Sequence, residues 1–165
     1  MGVERVRLYH DNGLCPRSPA PDGHPGTPTR TIPLDSPDVV TVWIPLQPTP
    51  QEMGPLAFAR GAGTWQLVAD IEFDKHGTSY DRRVSEIFRD RGVVVEDGPF
   101  AAGEISFHSA HCFHTAGANR TTSARMVLAT TYFRDGVRVV PAPTMVSGDW
   151  QKFIPGAAPG EVVAT

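Results

Sequence analysis

Residues 125–133 read Arg-Met-Val-Leu-Ala-Thr-Thr-Tyr-Phe, and alternation puts Arg125, Val127, Ala129, Thr131 and Phe133 on one face and Met126, Leu128, Thr130 and Tyr132 on the other. Neither set is polar, so a strand here is expected to be covered on both sides. A second run, residues 39–46, is equally rich in β-branched and apolar side chains. Val40, Val42, Ile44 and Leu46 are expected to face the core, with Val39, Thr41 and Trp43 opposite. Shorter strand signals fall at 3–9, 55–60, 93–96 and 104–107. Sixteen prolines and sixteen glycines suit a turn-rich β architecture.

One helix interrupts this pattern. Tyr80, Val84, Ile87 and Phe88 recur at helical spacing, Thr78 with Asp81 resembles a capping box, and Gly92 suits the stop. The helix, around 79–91, is expected on the outside of the β structure with its charged residues in solvent. Pro/Gly-rich residues 141–165 read as an extended tail anchored by Trp150 and Phe153, with its last residues disordered.

At 165 residues, 40% hydrophobic, the chain can bury one core, so a single domain spanning 1–165 is expected. A net charge of −3 without a Lys/Arg run argues against nucleic acid or an anionic membrane as a main partner. No apolar segment approaches the roughly 18 residues that span a bilayer, and the N-terminus lacks a signal peptide's apolar stretch. A cytoplasmic location is expected. Cys15 and Cys112 have no metal-site spacing and read as free thiols.

The chemistry concentrates around residues 103–125. Two strands, 104–107 and 125–133, are expected to be consecutive and antiparallel across a turn rich in Gly, Asn and Thr. His114 stands just before that turn, and Arg125 follows it by eleven residues. A neutral imidazole ligates Fe, Zn or Cu, and an arginine fork holds a carboxylate through paired hydrogen bonds. An arginine opening a covered strand also needs an anion to meet it. Together they suggest a metal with an acid cosubstrate. His108 and His111 read as structural or surface residues, and His10 with Asp11 as a strand-end pair.

Several runs then carry a specific resemblance: Asp38-Val39-Val40-Thr41-Val42-Trp43-Ile44-Pro45-Leu46-Gln47, Glu52-Met53-Gly54-Pro55-Leu56, Gly61-Ala62-Gly63, Gly103-Glu104, Phe107-His108, His114, Gly117-Ala118-Asn119-Arg120-Thr121, Arg125 and Tyr132-Phe133. With Trp150, Pro155-Gly156 and Pro159-Gly160, they make nearly the whole chain resemble the phytanoyl-CoA dioxygenase family of non-haem Fe(II), 2-oxoglutarate-dependent oxygenases. The resemblance implies a mainly β fold, a double-stranded β-helix or jelly-roll barrel. Iron would sit at its mouth on two histidines and a carboxylate, with 2-oxoglutarate as cosubstrate and hydroxylation of a small organic or acyl substrate as the reaction. It makes His114 the distal metal histidine, gives the far carboxylate of 2-oxoglutarate to Arg125, and puts Trp43 in the cosubstrate pocket. Ala116 stands where many members carry a serine that helps hold that carboxylate.

The chain departs from the family upstream. Members carry Trp-His-x-Asp ahead of the segment matching Pro33-Leu34-Asp35-Ser36, and an ungapped count puts the expected His on Gly26 and the expected Asp on Pro28. Residues 15–32 form an irregular Pro/Gly-rich stretch in which Asp22 and His24 are the candidate substitutes. Residues 24–32 can also be written as a one-base-shifted translation of Thr-Pro-Trp-His-Pro-Asp-Gln-Asp-Tyr-Trp, which motivates the hypothesis of compensating frameshifts. Two readings follow: an oxygenase inactive as encoded, or a non-catalytic jelly-roll protein binding a small carboxylate. A cupin-like metal hydrolase would need an early His-x-His cluster, and the chain has none. Members usually have a longer N-terminal part, so an exposed barrel surface and homodimerisation are expected.

Overall fold

The computed structural model describes residues 2–13, 32–61, 63–71, 79–143 and 150–163. In chain order the strands are β1 (Val6–Gly13), β2 (Val39–Pro45), β3 (Leu56–Ala59), β4 (Val95–Asp97), β5 (Ser106–Ser109), β6 (His114–Ala116) and β7 (Val127–Arg134), with helix α1 (Ser79–Asp90) between β3 and β4. They make two sheets, ordered β1-β7-β2-β5 and β4-β3-β6, and every pairing is antiparallel.

The strands around the histidine motif are therefore not neighbours. β2 lies between β5 and β7, pairing Trp43 with Ser106 and Ala129, and Thr41 with His108 and Thr131. β6 intervenes in the chain and joins the other sheet. Glu104 lies before β5, where its carboxylate accepts from the Ala101 backbone N–H at 2.7 Å, and Arg125 lies two residues ahead of β7.

The inward face of β2 is the opposite of the expected one. Val39 and Trp43 are buried while Leu46 is 52% exposed. Both alternate sets of this strand are apolar, so alternation alone does not choose between them. The second sheet chooses: Trp43 clusters with Leu56 and Val127, flanked by Phe58, Phe100, Ala116 and Ala129. β7 follows suit, with Val127, Thr131 and Phe133 buried inward and Leu128, Thr130 and Tyr132 only half covered outward. Cover on both sides of this strand is thus complete on one side alone.

Two further clusters close the ends. Tyr80, Val84 and Phe88 of α1 pack with Ala59, Val68 and Phe113, so the predicted apolar stripe lies against the outside of the small sheet. The helix stops at Gly92, φ +64°, in a Schellman arrangement: Val93 N–H donates to Phe88 at 2.8 Å and Gly92 N–H to Arg89 at 3.1 Å. Residues 150–163 are not an extended tail. Trp150, Ile154 and Val163 join Tyr9, Leu34, Phe133 and Val139 in the largest cluster, and Val163 N–H donates to Val137 at 2.9 Å. Burying Trp150 and Ile154 recovers apolar area that an extended chain would leave in water. Phe153 is a weaker anchor, 41% exposed but packed on Tyr9 at 5.2 Å between ring centroids.

Candidate functional site

The two sheets bring His114 of β6 and His108 of β5 together. His114 pairs with Phe58 across the small sheet, and His108 with Thr41 across the large one. Their ring centroids are 4.3 Å apart with planes at 48°, beside the Phe58 ring at 5.4 Å from His108 and 6.4 Å from His114.

A backbone carbonyl fixes the tautomer of His114. The Cys112 carbonyl, 3.0 Å from His114 Nδ1, can only accept, so Nδ1 carries the proton and Nε2 keeps its lone pair. Burial is the main force lowering the His114 pKa. Burial, then the neighbouring His114, pushes His108 down to about 3. Each is a neutral imidazole at physiological pH. His108 is 5% exposed, and its Nδ1 has no hydrogen-bond partner. Two residues away on the same face of β5, the Ser106 hydroxyl is likewise shut from solvent and unpartnered.

Arg125 reaches the carbonyls of Met53, Gly54 and Gly117, all through Nη1, the first at 3.0 Å and the last at 3.2 Å. It thereby ties the turn before β3 to the chain leaving β6. Gly117 is three residues beyond His114, on the order of 10 Å along extended chain. Trp43 is buried between the sheets, its ring 5.0 Å from that of Phe100. Ala116 lines the same cluster as Trp43.

Asp22, His24, Gly26, Pro28 and Cys15 lie outside the described residues. Among the described residues no group of three or more His, Cys, Asp or Glu is placed to hold a metal. His111 stacks on Trp65 at 5.1 Å and 19°, away from the histidine pair. Cys112 is a free cysteine, its thiol pKa raised by burial. Among the described residues no helix is long and apolar enough to cross a membrane.

Sequence reasoning did not bring His108 to His114. The available signal was β5 itself: once Ser106 and Trp43 face inward, His108 must do so too. A second space was also missed, a cavity of about 450 Å³ between α1 and the small sheet, lined by Ala57, Val84, Phe88 and Phe113 and bordered by His114.

Among curated proteins no sequence matches the chain. Solved structures do. The non-heme alpha ketoglutarate dependent carbocyclase SnoK from nogalamycin biosynthesis is 22% identical, with 97% of this chain and 60% of that one covered at a TM-score of 0.69. The epimerase SnoN, in complex with Fe3+, alpha ketoglutarate and nogalamycin RO, is 21% identical over 95% of this chain and 60% of its own, at 0.61. EvdO2 from Micromonospora carbonacea var. aurantiaca, complexed with 2-oxoglutarate, is 18% identical over 87% of this chain and 57% of its own, at 0.52. The chain thus spans about 60% of the length of these structures, and at such identities the likeness concerns the fold, a double-stranded β-helix. The expectation of iron and 2-oxoglutarate as the cofactors of this fold agrees with the groups bound in SnoN and EvdO2. A profile of the phytanoyl-CoA dioxygenase (PhyH) family matches residues 21–127. By its motifs, its sheets and that match, the chain belongs to the phytanoyl-CoA dioxygenase family.

Proposed function

We propose that this chain is an Fe(II)- and 2-oxoglutarate-type oxygenase domain for a small organic or acyl substrate whose iron set, as encoded, is too incomplete for hydroxylation. The observation that carries this is the contrast between His114 and its missing companions. His114 is oriented as a ligand, with Nδ1–H tied to Cys112 and Nε2 open. Gly26 and Pro28, at the other two matched positions, have no donor side chain. The three-ligand iron set therefore does not fit these residues.

What the chain retains is a binding design. Arg125 braces the mouth beside Gly117, and the inward face of β2 and β7 supplies an apolar wall of Trp43, Val127 and Ala129. A guanidinium at such a wall suits one end of a dicarboxylate, and apolar lining suits the body of a small ligand.

The second reading, a non-catalytic jelly-roll protein that binds a small carboxylate, is favoured by the same gap at Gly26 and Pro28. One anaerobic experiment separates the two. Fe(II) is titrated with 2-oxoglutarate present, and the weak visible charge-transfer band of the chelate is followed. A band that disappears in His114→Ala means that residues such as Asp22 or His24 complete the site, which overturns the proposal. Absence of a band in folded protein is the result the proposal expects, and 2-oxoglutarate binding that persists without the band, read by calorimetry, supports the second reading.

A further inference from the structure

We infer that His108 and His114 together form a two-imidazole site for a late divalent transition metal, distinct from the three-ligand iron set of the family. The inference shares His114 with the reading above and is independent of 2-oxoglutarate.

The geometry is close to what a shared ion requires. With metal–nitrogen bonds of about 2.0–2.1 Å the ion lies about 3.2 Å from each ring centroid, so tetrahedral or square arrangements place the centroids about 4.5–5.2 Å apart. The observed 4.3 Å needs only a small adjustment. The strands fix this approach: His108 is held opposite Thr41 in the large sheet and His114 opposite Phe58 in the small one, so the rings meet across the space between the sheets.

The lone pairs are also accounted for. His114 presents Nε2, because Nδ1–H is tied to Cys112. No hydrogen bond joins the two rings, and His108 Nδ1 is buried without a partner. An orphaned buried nitrogen is unfavourable, so the fold keeps it against a penalty that a ligand would remove. The Ser106 hydroxyl on the same strand face is a second buried polar group without a partner. No described carboxylate shares the site, which disfavours hard oxygen-seeking ions and favours nitrogen-seeking Ni(II) or Cu(II).

The test is calorimetric titration of the full chain with Ni(II) alone. One ion per chain is expected, with affinity reduced at least tenfold in both His108→Gln and His114→Gln and unchanged in His111→Gln. Wild-type affinity in His108→Gln, or no binding by the parent, would overturn the inference. Should His108→Gln fail to fold, electron spin-echo modulation of the Cu(II)-loaded parent counts the coordinated imidazoles: two are expected, and a single one rules the pair out. Because no 2-oxoglutarate is present, failure of the oxygenase reading leaves this outcome unaffected.

Discussion

Gly54 and Gly117 meet backbone to backbone: a Cβ on Gly54, φ +69°, would fall on the Gly117 carbonyl, while one on Gly117 would come within 3.1 Å of the Gly54 Cα. This contact sets the spacing between the turn before β3 and the chain leaving β6. Gly54→Ala is expected to cost at least about 2 kcal/mol, combining a left-handed backbone that alanine rarely adopts with a rigid collision. Gly92→Ala, φ +64° with open space around it, is expected to cost only about 1 kcal/mol. Denaturant unfolding of both variants checks the ordering.

Arg125 binds three backbone carbonyls at this same contact. Arg125→Met leaves them without their charged donor and is expected to lower stability by about 2–3 kcal/mol. The loss should appear without any 2-oxoglutarate. Thermal unfolding of ligand-free protein reads it, and an unchanged midpoint would assign the arginine to anion binding alone.

Stability should fall in mild acid. His108 titrates near 3 in the fold, against about 6.5 when unfolded. A base whose pKa is depressed by folding contributes its full stability above the unfolded value, and that contribution is lost as pH drops towards the folded one. The loss is at most about 1.4 kcal/mol per pH unit between about 6.5 and 3, and His114, also lowered, acts in the same direction. His108→Gln should remove about 2 kcal/mol of the difference between pH 7.5 and pH 5, measured by urea unfolding.

Among the described residues β5 is an edge strand, and Phe107 on its outward side is 69% exposed, with Ile105 just before the strand at 51%. Such an edge favours self-association. Light scattering of the parent should give a mass above that of one chain, reduced in Phe107→Lys. A clean monomer for the parent counts against this surface.

The coding DNA for residues 15–32 is expected to read Trp-His-Pro-Asp in the neighbouring frame. Sequencing the gene decides it, and any other peptide in that frame ends the frameshift hypothesis.

Residues with strong local constraints were legible in the sequence: the α1 stripe of Tyr80, Val84 and Phe88, the Gly92 stop, and the strands around Trp43 and Phe133. Their signals are periodicity and backbone conformation, which reside in a few consecutive residues. Tertiary structure alone decided which face of β2 turns inward, that β2 separates β5 from β7, that residues 150–163 fold back onto Phe133, and that Arg125 braces carbonyls. It also decided that His108 meets His114. These depend on what a distant segment brings alongside, and where both faces of a strand are apolar, as in β2 and β7, only the opposing sheet can break the tie.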